Sequence, residues 1–96
     1  MLKHVVVAKF KKDLPESVID EISKGLAALP QIISEIKEFQ WGRDILRSER
    51  SYDFALVAVF DDLDALRRYL VHPAHQEVAV KLRGNAESSI LVDFEF

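Results

Sequence analysis

The chain contains no cysteine. That excludes a disulfide scaffold, a thiolate zinc site, an iron–sulfur centre and a cysteine nucleophile, and it fits a reducing cytoplasm. Glycine and proline number only three each, so most of the chain is expected to be regular structure without linkers or low-complexity stretches. Gly-rich phosphate loops, nucleophile elbows and dinucleotide fingerprints are missing. Positive charge is not in surplus: thirteen basic residues face sixteen acidic ones, for a net charge of −3. A general nucleic-acid binder carries the opposite balance, so no nucleic-acid partner is expected. No apolar run approaches the ~20 residues that cross a bilayer. Met1 to Lys12 interleaves four lysines with its apolar residues, unlike a signal peptide. The expectation is a cytoplasmic protein with no membrane partner. What is present is 96 residues, 49% apolar and 30% charged, which suits one globular domain spanning residues 1–96.

Alternation of apolar residues predicts a strand over Leu2–Lys11, with Leu2, His4, Val6, Ala8 and Phe10 on one face and Val5 and Val7 on the other. Asp13-Leu-Pro-Glu16 reads as a helix start. Val18, Ile19, Ile22, Leu26 and Leu29 then recur at helical spacing until Pro30, which ends the helix or opens an irregular turn. A second strand is predicted over Ile36–Arg43, with Phe39 and Trp41 on one face and Gly42 marking a bend or bulge. After a polar connection, Tyr52–Phe60 reads as a third strand. Asp61-Asp62 caps a helix carrying Leu63, Leu66, Tyr69 and Leu70, which Pro73 breaks. A further helix from about Ala74 puts His75, Val78, Ala79 and Leu82 on one side and stops at Gly84-Asn85. Ser89–Phe96 is the last strand. The order β-α-β-β-α-α-β predicts an α+β sandwich of the ferredoxin-like kind, with helices on one face of a four-stranded antiparallel sheet.

Helices this short cover one sheet face, yet the central strands are apolar on both. Leaving the second row in water would expose more apolar surface than a monomer normally tolerates. At ~25 cal/mol per Å², a few hundred Å² corresponds to several kcal/mol. A homodimer through the sheet face is the expected solution.

The residues able to carry chemistry are Tyr69, His72, His75 and His4. Polar tips aimed at an apolar interior need partners or water. One reading is a small cavity in which a histidine acts as general base and a tyrosine hydrogen-bonds the substrate or the histidine. The alternative is structural. His75 would bond a backbone carbonyl, Tyr69 would be a core aromatic, and His72 a turn residue before proline. Pro73 separates His72 from His75, so the pair lacks the spacing of two ligands on one helix and no metal site is expected. Glu49-Arg50 reads as a solvated loop, and Trp41 as a core anchor more readily than a stacking platform.

Three motifs carry a family resemblance: Lys3-His4 opening a Val-rich strand that ends in Lys9-Phe10-Lys11; Trp41-Gly42 followed by Asp44; and Tyr69-Leu-Val-His72-Pro73-Ala74-His75. The last is the most specific. The chain resembles the stress-responsive A/B barrel (Dabb) family along essentially its whole length. That resemblance implies a ferredoxin-like unit pairing through its sheet into a dimeric α/β barrel. Members similar to olivetolic acid cyclase close a linear polyketide by aldol condensation without a cofactor. By resemblance, His75 and Tyr69 match the catalytic histidine and tyrosine, and His4 a cavity-lining histidine. Phe54 stands where the cyclase has a further histidine, and Leu26 where it has a pocket tyrosine, which implies a smaller, greasier pocket. Phe54, Leu26, His72 and Trp41 are the expected pocket residues. Some members also hold a cation on backbone carbonyls after the first helix. The matching stretch here, Pro30 to Ile36, neither requires nor forbids one.

Three functions follow. The first is a family protein of uncharacterised role that binds a small apolar ligand or serves in stress tolerance. The second is a cofactor-free cyclase or lyase using His75 with Tyr69 and His4. The third, without a supporting motif, is an oxygenase or haem-handling protein of the wider dimeric-barrel class. An open pocket between His75 and Tyr69 favours the second; a filled interior with a backbone-bonded histidine favours a structural role.

Overall fold

The structure, a computed structural model, describes residues 1–96. Its elements are β1 (Leu2–Phe10), α1 (Glu16–Ile32), β2 (Glu38–Arg43), β3 (Phe54–Phe60), α2 (Leu63–Val71), α3 (Pro73–Gly84) and β4 (Ala86–Glu95). The strands form one antiparallel sheet in the order β2-β3-β1-β4. This is the expected ferredoxin-like arrangement, with the first strand in the interior of the sheet. No helix is long and apolar enough to cross a membrane.

Period-two alternation sorts the sheet into two faces. Leu2, His4, Ala8 and Phe10 of β1 and Phe54, Leu56, Ala58 and Phe60 of β3 are buried on the helix side. They meet Ile19, Ile22, Leu26 and Leu29 of α1, Leu66 and Tyr69 of α2, and Leu82 of α3. On the other face, Val5 lies between Val57 and Val92, and Val7 between Ala55 and Ile90. Ile90, Val92 and Phe94 remain 58%, 62% and 44% exposed, so one side of the sheet is an uncovered apolar band.

Several boundaries differ from expectation. Pro30 lies inside α1, which runs on to Ile32. A proline in the last turn forfeits a single helical bond, and Ile33, 1% exposed, still anchors the end through its N–H to the Leu29 carbonyl. Asp13 does not cap α1. It adopts φ 59°, and Pro15 takes the cap position with no side-chain bond. Gly42 makes no bulge and pairs in register with Ala55. Ile36 closes a turn onto the Ile33 carbonyl, so β2 starts at Glu38. Leu63 and Leu70 are exposed and Ala65 takes the core position. Asp62 caps α2 as expected, accepting from the Ala65 N–H at 2.8 Å.

Candidate functional site

His4 belongs to the helix-facing row of β1. In register beside it stand Ala58 of β3 and Asp93 of β4. The small Ala58 is fully buried. His4 is 3% exposed and its Nδ1 is bonded to the Asp93 carboxylate. That bond leaves Nε2 as the free ring nitrogen. Tyr69 comes down from α2 as the largest fully buried side chain. Its ring lies 4.8 Å from Phe60, 6.1 Å from His4 and 6.3 Å from Phe39, centre to centre.

The break between α2 and α3 places His75. Pro73 has no N–H, and the Ala74 N–H, which would continue α2 by bonding the Leu70 carbonyl, instead goes to Nδ1 of the capping residue His72 at 3.1 Å. The Leu70 carbonyl is thereby left without a helical partner. Nδ1 of His75 fills that vacancy at 3.1 Å. A carbonyl only accepts, so Nδ1 carries the proton and Nε2 the lone pair. The imidazole then lies 4.3 Å from the Tyr69 ring.

Between these groups lies a cavity of about 110 Å³ bounded by His4, Tyr69 and His75, with Leu26, Val78 and Leu91 among its apolar walls. Burial pushes the His75 imidazole below its ordinary value; the Leu70 bond opposes this, and the nearby His4, Arg83 and His72 add to the lowering. His75 is therefore a neutral base at neutral pH. Burial alone pushes the Tyr69 hydroxyl up, so it stays a donor. No fully enclosed side-chain nitrogen or oxygen lacks a partner, and the Tyr69 hydroxyl bonds no protein group, so it opens to the cavity. The two outcomes anticipated from sequence coexist: the interior holds a cavity, and His75 is bonded to backbone through one nitrogen while the other stays free.

Of the anticipated site residues, His4, Tyr69, His75 and Leu26 converge here. His72 is the cap of α3 and points at its own helix. Trp41 is half-buried against Phe39, 5.7 Å away, one ring removed from Tyr69. Phe54 packs on Phe10 at 5.9 Å. It sits opposite Ala8, four residues or about 13 Å along β1 from His4. Asp93 was missed. Its signal was a lone acid between Val92 and Phe94, which the pairing of β1 with β4 turns toward His4. Val78 was read only as helix packing, and Arg83 not at all. No three His, Asp or Glu side chains converge as metal ligands. In the Pro30 to Ile36 stretch the Ile33 carbonyl is taken by a backbone N–H. A wider hollow of about 770 Å³ lies at the far end of β1, but its arginines are already paired with Glu16 and Asp53 and it holds no histidine or hydroxyl.

The stress-responsive A/B barrel domain model matches residues 2–96. The chain belongs to the stress-responsive A/B barrel family. This Dabb chain is 31% identical to a stress-response A/B barrel domain-containing protein of Arabidopsis thaliana, over 98% of this chain and 88% of that protein. It is 28% identical to olivetolic acid cyclase of Cannabis sativa, over 97% and 94%. Among solved structures, a dimeric ferredoxin-like protein of unknown function from Bacteroides fragilis superposes with TM-score 0.89 at 32% identity, covering 99% of this Dabb chain and 95% of its own.

Proposed function

We propose that this Dabb protein binds a small apolar carbonyl compound and moves a proton on it without a cofactor. One observation carries the reading. A neutral imidazole, its Nδ1 held by the Leu70 carbonyl, stands 4.3 Å from a tyrosine ring whose protonated hydroxyl opens to a cavity. His75 Nε2 takes the proton from the carbon beside the carbonyl. The Tyr69 hydroxyl donates to the carbonyl oxygen as negative charge develops there. His4, oriented by Asp93, lines the same space. This is the first step of aldol chemistry, a carbon–carbon bond formation that can close a ring, and a cyclase is among the relatives. An engineered cavity of 150 Å³ accepts benzene, so the ~110 Å³ here fits a substrate core of a few carbons and not a long polyketide.

The uncovered band of Val5, Val7, Val57, Ile90, Val92 and Phe94 is the surface through which two copies pair. The dimeric Bacteroides relative supports this assembly.

The test is exchange of α-hydrogens for deuterium in small ketones, followed by proton NMR in heavy water. Wild type accelerates exchange. His75→Gln returns it to the buffer rate, and Tyr69→Phe lowers it by about 10². If wild type binds ketones without accelerating exchange, the protein is a binder only.

A further inference from the structure

We propose that Arg83 makes the mouth of this cavity a carboxylate site, so that a small oxo acid is preferred over the corresponding neutral ketone; this rests on the cavity being the ligand site.

Arg83 lines the cavity beside His75, Leu82 and Leu91, and it is the only charged residue that does; no aspartate or glutamate reaches the walls. The other basic groups of α2 and α3 are spent. Arg67 and Arg68 pair with Asp64 and Glu35, and Lys81, on the same helix as Arg83, pairs with Glu21. Arg83 is in no ion pair. A cation in the last turn of a helix ordinarily answers the free carbonyls there. In α3 three of those carbonyls are taken: Asn85 bonds the Leu82 and Arg83 carbonyls through its N–H and the Lys81 carbonyl through its side-chain amide at 2.8 Å. The helix end does not need the guanidinium. Its charge also reaches the imidazole, where it adds to the lowering of His75. A carboxylate arriving at the mouth meets a free guanidinium, whose forked donors match its two oxygens.

Geometry narrows the ligand. His75 and Arg83 are eight residues apart on one helix, about 12 Å along its axis. Helix side chains lean toward the N-terminus, so the guanidinium swings back toward the imidazole. Carboxylate and carbonyl must then be several bonds apart, as in 4-oxopentanoate, and not adjacent.

The test compares 4-oxopentanoate with 2-pentanone, which has the same carbonyl end without the carboxylate. Binding to the intact protein is read by calorimetry and by the imidazole resonance of His75. Wild type is expected to prefer the acid at least tenfold at low salt, with the preference shrinking as salt is added. In Arg83→Gln the ratio falls to about one, and Arg83→Lys keeps part of it. Binding of the acid raises the His75 titration midpoint in wild type and not in Arg83→Gln. Equal affinity for the two compounds in wild type, or a ratio that survives Arg83→Gln, overturns the carboxylate site while the cavity reading stands. Failure of both compounds to bind at millimolar concentration overturns both.

Discussion

Gly25 offers the sharpest check on how the cavity is walled. It sits in α1 against α3, and a methyl added there would lie 2.9 Å from Cγ2 of Val78, 3.5 Å from Cγ1 and 3.7 Å from Cβ. Valine is stiff about χ1, so it cannot swing a flexible tip aside; it or its helix must shift, and the cavity wall it forms shifts with it. Gly25→Ala gains about 1 kcal/mol of helix propensity. The overlap costs about 2 kcal/mol, mid-range for overpacking. The net expectation is a loss of about 1 kcal/mol. In a Val78→Ala background the obstruction is gone and the same change stabilises by about 1 kcal/mol, a coupling of about 2 kcal/mol. Denaturant titration of the four proteins at one protomer concentration measures it. The reasoning is refuted if Gly25→Ala shifts stability equally in both backgrounds, within about 0.5 kcal/mol. Ketone binding should weaken in Gly25→Ala and recover in the double variant.

Asp93→Ala strands the Nδ1 of a histidine that is 3% exposed and should cost about 2 kcal/mol; Asp93→Asn, which still offers an oxygen, should cost less than half as much in the same titration. His75 titrates below its ordinary 6.5 in the folded chain, so the unfolded state binds its proton first. Its contribution to stability is therefore flat above about pH 7 and falls as pH drops through the ordinary imidazole range toward the folded value. Wild type should lose more stability than His75→Gln between pH 7 and pH 5, and equal losses would contradict a depressed folded value. Val92→Asp places a charge in the middle of the uncovered band and should shift the proposed sheet-face dimer toward monomer in sedimentation; an unchanged mass would contradict pairing through this face.

Much of the fold was legible because the two periodicities seldom conflict. The alternation of Leu2, His4, Val6, Ala8 and Phe10 gave the buried face of β1, and the stripe Ile19, Ile22, Leu26, Leu29 that of α1. Helix ends were harder to read. Pro30 punctuates the sequence as a terminator, but in the last turn it removes one bond that the structure can forgo. The site was half legible. His4, Tyr69 and His75 stood out as polar tips in apolar rows. Asp93 did not, because its meaning depends on β4 pairing with β1 across 89 residues, and no local pattern states a register. Phe54 was placed near the cavity by family correspondence, while the register sets it opposite Ala8. Arg83 carried no signal in the sequence, because its freedom depends on Asn85 taking the helix-end carbonyls.

The interior position of β1 has a consequence for the chain as it is made. Leu2 pairs with Phe60 and with Glu95, so the first strand waits for partners that emerge much later. At roughly 5–20 residues per second of synthesis, the apolar run Val5-Val-Val-Ala8 stays unpaired for roughly ten seconds. Such a segment is a template for intermolecular β-pairing. Lys3 on one side of it and Lys9, Lys11 and Lys12 on the other are placed as gatekeepers. On this view they protect the nascent chain, and the His4–Asp93 pair is assembled only when β4 docks.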